Sequence, residues 1–301
     1  MEPDGEMESR SIGVLERHSL ANRTTPSLHH SNSPTPSPLH HSNFPFFCML
    51  LLLDIGNTNT HLGLANSERV IKQANIPTAT WLRGGAKAAL MKFVGRTRTE
   101  GAALCSVVPS VTPLATRTVE RLWGLRCLVL SHKTLRGVGI DYDKPATIGP
   151  DRLANAVAVH HQFGAPAVVV DFGTAVTFDV VNRAGNYAGG IIAPGLAAMT
   201  DYLHEKTALL PKIRVREITS AIGKSTEQAM LIGAVHGYRG LIRALLQELK
   251  RELKTRRLPV VATGGYAKLL TSKLPEITSV QPLLTLEGLR LVWQRTHERK
   301  R

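Results

Sequence analysis

The chain is expected to fold as a mixed α/β protein made of two related halves. Three observations predict this. Apolar runs rich in Leu and Val alternate with stretches of helical spacing. A short pattern, Asp-x-Gly followed by Thr, ends such a run twice, in "LLLLDIGNTNTHLGL" and in "VVVDFGTAVTFDV". The two copies also lie at one offset, 117 residues, for three positions (54 to 171, 56 to 173 and 60 to 177). Nearly continuous apolar runs are what strands buried on both faces require.

From the N-terminus, residues 1–48 stand apart. They are rich in Ser, Pro, His, Thr and Asn, and "LHHSNSP" returns as "LHHSNFP". Such a segment cannot bury enough apolar surface to offset its ordering entropy, so it is expected to be disordered. Its paired histidines read as low-complexity sequence rather than as a metal site. Met49 is the expected natural start, with the preceding residues an over-extended reading frame. Leu50–Asp54 then predicts a strand and His61–Ala65 its hairpin partner. A helix is expected over Ala79–Gly95, a strand over 103–109, a helix over 112–124, a strand over 126–131 and a helix over 152–162. The pattern restarts with strands at 166–171, 175–181 and 187–192. Helices are expected near 195–204 and 225–253, then a strand at 258–263 and a helix from Tyr266. The expected domains are therefore 49–165 and 166–301, after the 1–48 extension.

Composition narrows the function classes. A chain of 301 residues with 43% hydrophobic and 5% aromatic residues is globular with an aliphatic core. The apolar stretch Phe44–Leu53 is about ten residues, too short to span a bilayer, and no cleavage site follows it. Three cysteines without a CxxC pair point to a reducing, cytoplasmic setting. The net charge of +14 is concentrated in "ELKRELKTRR" and "RTHERKR". No aromatic residues interleave there as a base-stacking platform would need, so these read as solvated basic segments and no nucleic-acid partner is expected.

Chemistry is carried by the two turns. Gly56 and Gly173 let backbone amides approach a ligand closely. Asn57, Thr58, Asn59 and Thr60, with Thr174 and Thr177, offer neutral donors. Asp54 and Asp171 cannot favour a bare anion, so they imply a cation between protein and ligand; a phosphate with Mg²⁺ meets all these demands. Two such turns facing one another make a clamp, whereas either alone is equally well a tight turn with Asx-type hydrogen bonds. A third element, "LPVVATGGYAKLL", would place Gly264 and Gly265 at a strand-to-helix corner open to a ring or ribose. "GKST" (223–226) imitates the end of a P-loop, but the position of that motif's first glycine is Ile218; Ser225 and Gln228 read as a capping box instead. The histidines of "HHQFG" lack metal-ligand spacing and read as helix-end residues.

Together these segments resemble the type III pantothenate kinases of the acetate and sugar kinase, heat-shock ATPase and actin superfamily. The resemblance runs from Met49 to the C-terminal helix through Asp54–Thr58, "SVVP", "GPDR", "DFGT", "GGIIAPG", "KTALLP", "STEQAMLIGAVHG" and "TGG". It implies two duplicated ribonuclease-H-like (actin-like ATPase) halves with a nucleotide cleft between them, and phosphorylation of pantothenate by ATP as the first step towards coenzyme A. It also implies roles: Asp54, Ile55, Gly56, Asn57, Thr58, Asn59, Thr60 and His61 at the ATP phosphates, with Asp54 on Mg²⁺, and Gly173, Thr174, Gly264 and Gly265 at ATP. Asp171 matches the ligand of a monovalent cation, K⁺ or NH₄⁺. Asp151 is the expected proton acceptor, and Tyr142, Gly149, Pro150, Asp151, Arg152 and Thr207 the pantothenate contacts. Phosphoryl transfer needs such a base beside the acceptor hydroxyl, and an arginine suits an acceptor carboxylate. Asp151 also stands where a helix N-cap is expected, and Arg152 where a surface arginine would be unremarkable. A homodimer is implied; the long helix from Ser225, with Ala229, Ile232, Val235 and His236 along one side, reads equally as its interface or as a face buried within the monomer. The competing expectations are a nucleotide-dependent regulatory binding protein and another small-molecule kinase of the superfamily.

Overall fold

The computed structural model describes residues 49–298, so expectations about residues 1–48 and the last three residues lie outside the described residues. The first half runs β1 (Met49–Ile55), β2 (Asn59–Ala65), β3 (Val70–Pro77), α1 (Ala79–Leu82), α2 (Ala86–Val94), β4 (Thr99–Ser106), α3 (Thr112–Trp123) and β5 (Cys127–Val129). A short strand β6 (Gly139–Ile140) and α4 (Pro150–Phe163) follow. The second half runs β7 (Ala167–Phe172), β8 (Ala175–Val181), β9 (Asn186–Pro194), α5 (Leu196–Lys206), α6 (Thr226–Ile232), α7 (Tyr238–Glu252), β10 (Val260–Thr263), α8 (Ala267–Thr271), β11 (Ser279–Val280) and α9 (Leu284–Glu298).

The duplication is visible in the sheets. The first has the order β3-β2-β1-β4-β5 and the second, read from its other end, β9-β8-β7-β10-β11, with β6 added beside β9. In each, the first three strands are antiparallel and the last two join in parallel. This is the ribonuclease-H-like arrangement, twice. Period-2 alternation explains the four leucines: Leu51, Leu53 and Ile55 pack with α2 and α3 on one face, Leu50 and Leu52 with α4 and α9 on the other. β7 repeats this, with Val168, Val170 and Phe172 against α7 and α8, and Ala167 and Val169 on the opposite face. Each buried leucine or valine contributes roughly 1.5–3 kcal/mol.

The two sheets are joined through α4 and α9, which lie together between them. The backbones approach so closely that a Cβ on Gly288 would stand 2.0 Å from the Ala154 carbonyl oxygen. The helices cross over: α4 packs on β7 and β8, whereas α9, last in the chain, packs on β1 and β4.

Several elements differ from expectation. The helix expected over Ala79–Gly95 is two, because Gly84 takes a positive φ of 77° and breaks it. β3 was hidden in sequence by its polar residues, which face solvent along a sheet edge. The helix expected over 225–253 contains a π-helical turn at Gly233–Gly237. The capping box is present: Ser225 Oγ accepts from Gln228 N at 3.2 Å, and the Gln228 side chain reaches Lys224 N at 2.9 Å. Among the described residues Cys105 and Cys127 are free thiols, and no helix is long and apolar enough to cross a membrane.

Candidate active site

The turns that follow β1 and β7 meet. Thr58 Oγ1 and Thr174 Oγ1 are 3.1 Å apart, although 116 residues separate them in sequence. The first turn exposes Asn57, Thr58 and Asn59 and buries Ile55 and Thr60. It closes on itself through Gly56 N to the Asn59 carbonyl oxygen at 3.0 Å. Thr78 braces it from behind, its Oγ1 donating to the Gly56 carbonyl at 2.7 Å and its N–H to the Thr58 carbonyl at 2.9 Å. Thr60 does not face the opening: it is fully buried, 3.1 Å from Thr78 Oγ1, and accepts from Trp81 Nε1 at 3.1 Å. Its hydroxyl holds the turn in shape.

The second turn is one residue shorter. Phe172 pairs with Val176, whereas Ile55 pairs with Thr60. The third match of the 117-residue alignment is therefore a coincidence of number. Thr177 sits opposite Asp171, the place that His61 occupies opposite Asp54. Thr174 is exposed, and its carbonyl accepts from Gly195 N at 3.1 Å where α5 begins. Gly264, at φ 90°, lies against the second turn so tightly that a Cβ would come within 2.5 Å of Asp171 Oδ1 and 2.6 Å of the Phe172 backbone. Gly265 beside it faces open space.

The acceptor-side residues begin α4. Gly149 is the N-cap and Pro150 the first helical residue, as its fixed φ favours. Asp151 is therefore not the expected N-cap; it lies inside the first turn, where its Oδ1 accepts from Arg152 N at 2.9 Å. Arg152 is not a surface arginine either. Its Nε donates to Asp179 Oδ1 at 2.5 Å and its Nη2 to the Phe178 carbonyl at 3.0 Å. Its guanidinium lies 5.7 Å from the Tyr187 ring centre. Tyr142, 41% exposed, packs on that tyrosine with centroids 6.0 Å apart. Gly190 makes room for this: a Cβ there would stand 1.7 Å from the Phe178 carbonyl and 3.0 Å from Arg152 Nη2. Thr207 ends α5, exposed, with its hydroxyl donating to the Leu203 carbonyl at 2.8 Å.

Four buried carboxyl groups, Asp54, Asp151, Asp171 and Asp179, feel one another's charge in the interior of the site, and Asp179 is paired with Arg152. Burial pushes Asp54 up to about 6; His61 opposes this, Asp151 adds to it and the Cys105 thiol, donating at 3.3 Å, opposes it. Asp171 is pushed up to about 8, first by burial and then by Asp179, Asp54 and Asp151, with Asn155 opposing. Asp179 rises to about 6 because burial outweighs its pairing with Arg152. Asp151 is raised by burial, against hydrogen bonding and the charge of Arg152. A dry cluster in which carboxylates raise one another has the chemistry of a cation site. No three acid, His or Cys side chains among the described residues converge as a ready-made metal cage. The donor set therefore suits a cation completed by phosphate oxygens and water, the usual manner of Mg²⁺.

Sequence reading missed Asp179, Asn155, Thr78 and Tyr187. Signals existed: Asp in the apolar strand "TFDVV" and Asn in the apolar helix stripe "LANAVAV" both demand buried partners.

A duplicated ribonuclease-H-like fold whose two Asp-x-Gly turns meet beside an acid and an arginine defines the actin-like ATPase class in its phosphotransferase form. Within that class, the chain belongs to the type III pantothenate kinase family, whose model matches residues 50–248. A type III pantothenate kinase of Akkermansia muciniphila is 46% identical over 244 residues, 80% of this chain and 96% of the relative. One from Methylacidiphilum infernorum is 41% identical over 253 residues, 84% and 90% of the two chains. Among solved structures, a Campylobacter jejuni protein described as a Baf family transcriptional activator superposes with a TM-score of 0.54 at 18% identity. It covers 82% of this chain and 99% of its own, and so supports the fold.

Proposed function

We infer that the chain is an ATP-dependent kinase that phosphorylates pantothenate, the opening step of coenzyme A synthesis. Family membership supports the reaction. The observation that carries the assignment of parts is the contact of the two turns, Thr58 to Thr174, beside Asp151. On this reading Asn57, Thr58 and Asn59 hold phosphate oxygens from one side, and Gly173 and Thr174 from the other, while the Gly56 amide is spent on closing its own turn. Gly265 leaves an open surface for the nucleoside. Asp151 accepts the proton of the acceptor hydroxyl; its raised pKa places it closer to the working pH than an ordinary aspartate, which suits a base. Arg152 presents its Nη1 edge, which bonds to no described residue, to the acceptor carboxylate. Tyr142 and Thr207 contribute to the acceptor wall.

While Asp179 is committed to Arg152 and Asn155, two of the four carboxylates fit cations, with Asp54 facing Mg²⁺ and Asp171 a monovalent cation, K⁺ or NH₄⁺. Bound there, they would neutralise charge on the transferring phosphoryl group. The homodimer is proposed as well. Val235, expected on its face, is fully buried within the chain. Exposed apolar residues cluster instead on α5 and β9, at Ile192, Met199, Tyr202 and Leu203.

The test is an ADP-release assay with pantothenate, pantetheine and several sugars, with and without K⁺. Release with pantothenate that rises with K⁺ is expected. ATP binding without ADP release would favour a regulatory binding protein, and turnover only with a sugar would assign a different kinase.

A further inference from the structure

The free edge of Arg152 is aimed by a buried polar chain that ends on the last helix of the protein. Arg152 Nε donates to Asp179 Oδ1 at 2.5 Å, and the other oxygen, Oδ2, accepts from Asn155 Nδ2 at 3.1 Å. The Asn155 carbonyl oxygen accepts in turn from Thr285 Oγ1 at 2.8 Å. Exposures are 0% for Asp179, 1% for Asn155 and 8% for Thr285. The chain crosses three elements, β8, α4 and α9, and its last member lies beyond the segment matched by the family model. Every link is satisfied: both Asp179 oxygens accept, and the Asn155 amide donates on one side and accepts on the other, which fixes its orientation. Two of the five guanidinium N–H donors, on Nε and Nη2, are used on this side and on the Phe178 carbonyl. The side chain remains 12% exposed, and Nη1 is not among the sealed polar atoms. A planar fork clamped along one edge can present only its other edge.

We propose that Asp179, Asn155 and Thr285 are positioning residues that set acceptor selectivity: they hold Arg152 with its Nη1 edge towards the acceptor's carboxylate, so that the site prefers a carboxylate-bearing acceptor to its amide counterpart. This rests on the reading of Arg152 as the partner of the acceptor carboxylate. The helix α9 thereby takes part in substrate choice although it approaches no phosphate turn through this chain. Loss of one link loosens the arginine without removing its charge, so selectivity falls by less than when the arginine itself is removed.

The experiment measures the dissociation constants of pantothenate and pantetheine, which carries an amide where pantothenate has the carboxylate, with a non-hydrolysable ATP analogue present. Wild type is compared with Arg152→Gln, Asp179→Asn and Thr285→Val. The preference for pantothenate should fall about tenfold or more in Asp179→Asn and about threefold in Thr285→Val. It should vanish in Arg152→Gln, while affinity for the ATP analogue stays within about twofold throughout. A general loss of structure would weaken both acceptors and the nucleotide together. If Arg152→Gln abolishes the preference but Asp179→Asn and Thr285→Val keep it in full, the positioning chain is wrong and the role of Arg152 stands. If Arg152→Gln keeps the preference, the underlying reading of Arg152 fails and the chain with it. Should Asp179→Asn not fold, Thr285→Val, an isosteric change at the far end of the chain, decides on the same comparison.

Discussion

The two Asp-x-Gly turns occupy matching places in the two sheets and share that pattern, yet they are different electrostatic sites. Asp54 has His61 across the strand pair and a thiol donor from Cys105, and sits at about 6. Asp171 has the neutral Thr177 across from it, three carboxylates near it, and sits at about 8. Burial is the main cause of the rise at both; the difference comes from the neighbours, His61 and Cys105 at Asp54 against Asp179 and the other carboxylates at Asp171. One pattern thus yields a turn whose aspartate has opposing partners beside it and a turn whose aspartate has further carboxylates beside it. Under the proposed function, the first would handle the reacting phosphates and the second would anchor them with an added cation.

Because of that asymmetry, removing one aspartate should not have the effect of removing the other. Asp54→Asn is expected to lower kcat by roughly 10³-fold, as loss of a group stabilising transferring charge does. Asp171→Asn should lower it by about tenfold and abolish stimulation by K⁺, as steady-state kinetics across a K⁺ series will show. Equal losses would break the comparison. Next in size is Gly264→Ala. A Cβ there meets Asp171 and the Phe172 backbone at a left-handed φ, and about 1–3 kcal/mol of stability should be lost by chemical denaturation. Gly265→Ala, in open space, should be near neutral.

The sign of the pH dependence follows from the raised pKa values. Asp171 moves from an ordinary 3.8 to about 8, so folding favours its protonated form. Its contribution to stability is complete below about 3.8 and is lost as pH rises through about 8. Protein stripped of cations should therefore melt at progressively lower temperature across that window. K⁺ should restore stability most at the alkaline end, and Asp171→Asn should flatten both effects. The smallest effect concerns the meeting of the turns. A Thr58→Val and Thr174→Val double-mutant cycle should give a coupling of about 0.5–1 kcal/mol in the apo protein, since the hydrogen bond is exposed.

How much of this was legible in sequence depends on range. The turns were readable because Asp, Gly and Thr at fixed spacing have a local cause, and the buried strands because Leu and Val runs leave no polar face. β3 escaped because an edge strand carries polar residues outward. The crossing of α9 onto the first sheet, and the chain from Thr285 through Asn155 and Asp179 to Arg152, whose links span 24 to 130 residues, are contacts with no local signature in sequence. The buried Asp179 and Asn155 announced that they needed partners, but not which ones. The function of Thr60 was misplaced for a related reason: a hydroxyl in a turn looks alike whether it faces a ligand or braces the turn from within.

Under the proposed function, the two turns hold ATP while Asp151 prepares the acceptor. Phosphorus NMR of a reaction containing ATP, Mg²⁺, K⁺ and pantothenate tests it most directly. The account predicts that the γ-phosphate signal is replaced by one phosphomonoester per ADP formed. In Asp151→Ser, once its circular dichroism and melting match the wild type, the monoester should appear more slowly by about 10²-fold or more. ATP consumed by the wild-type protein without the monoester, or a monoester formed by Asp151→Ser at the wild-type rate, would contradict it.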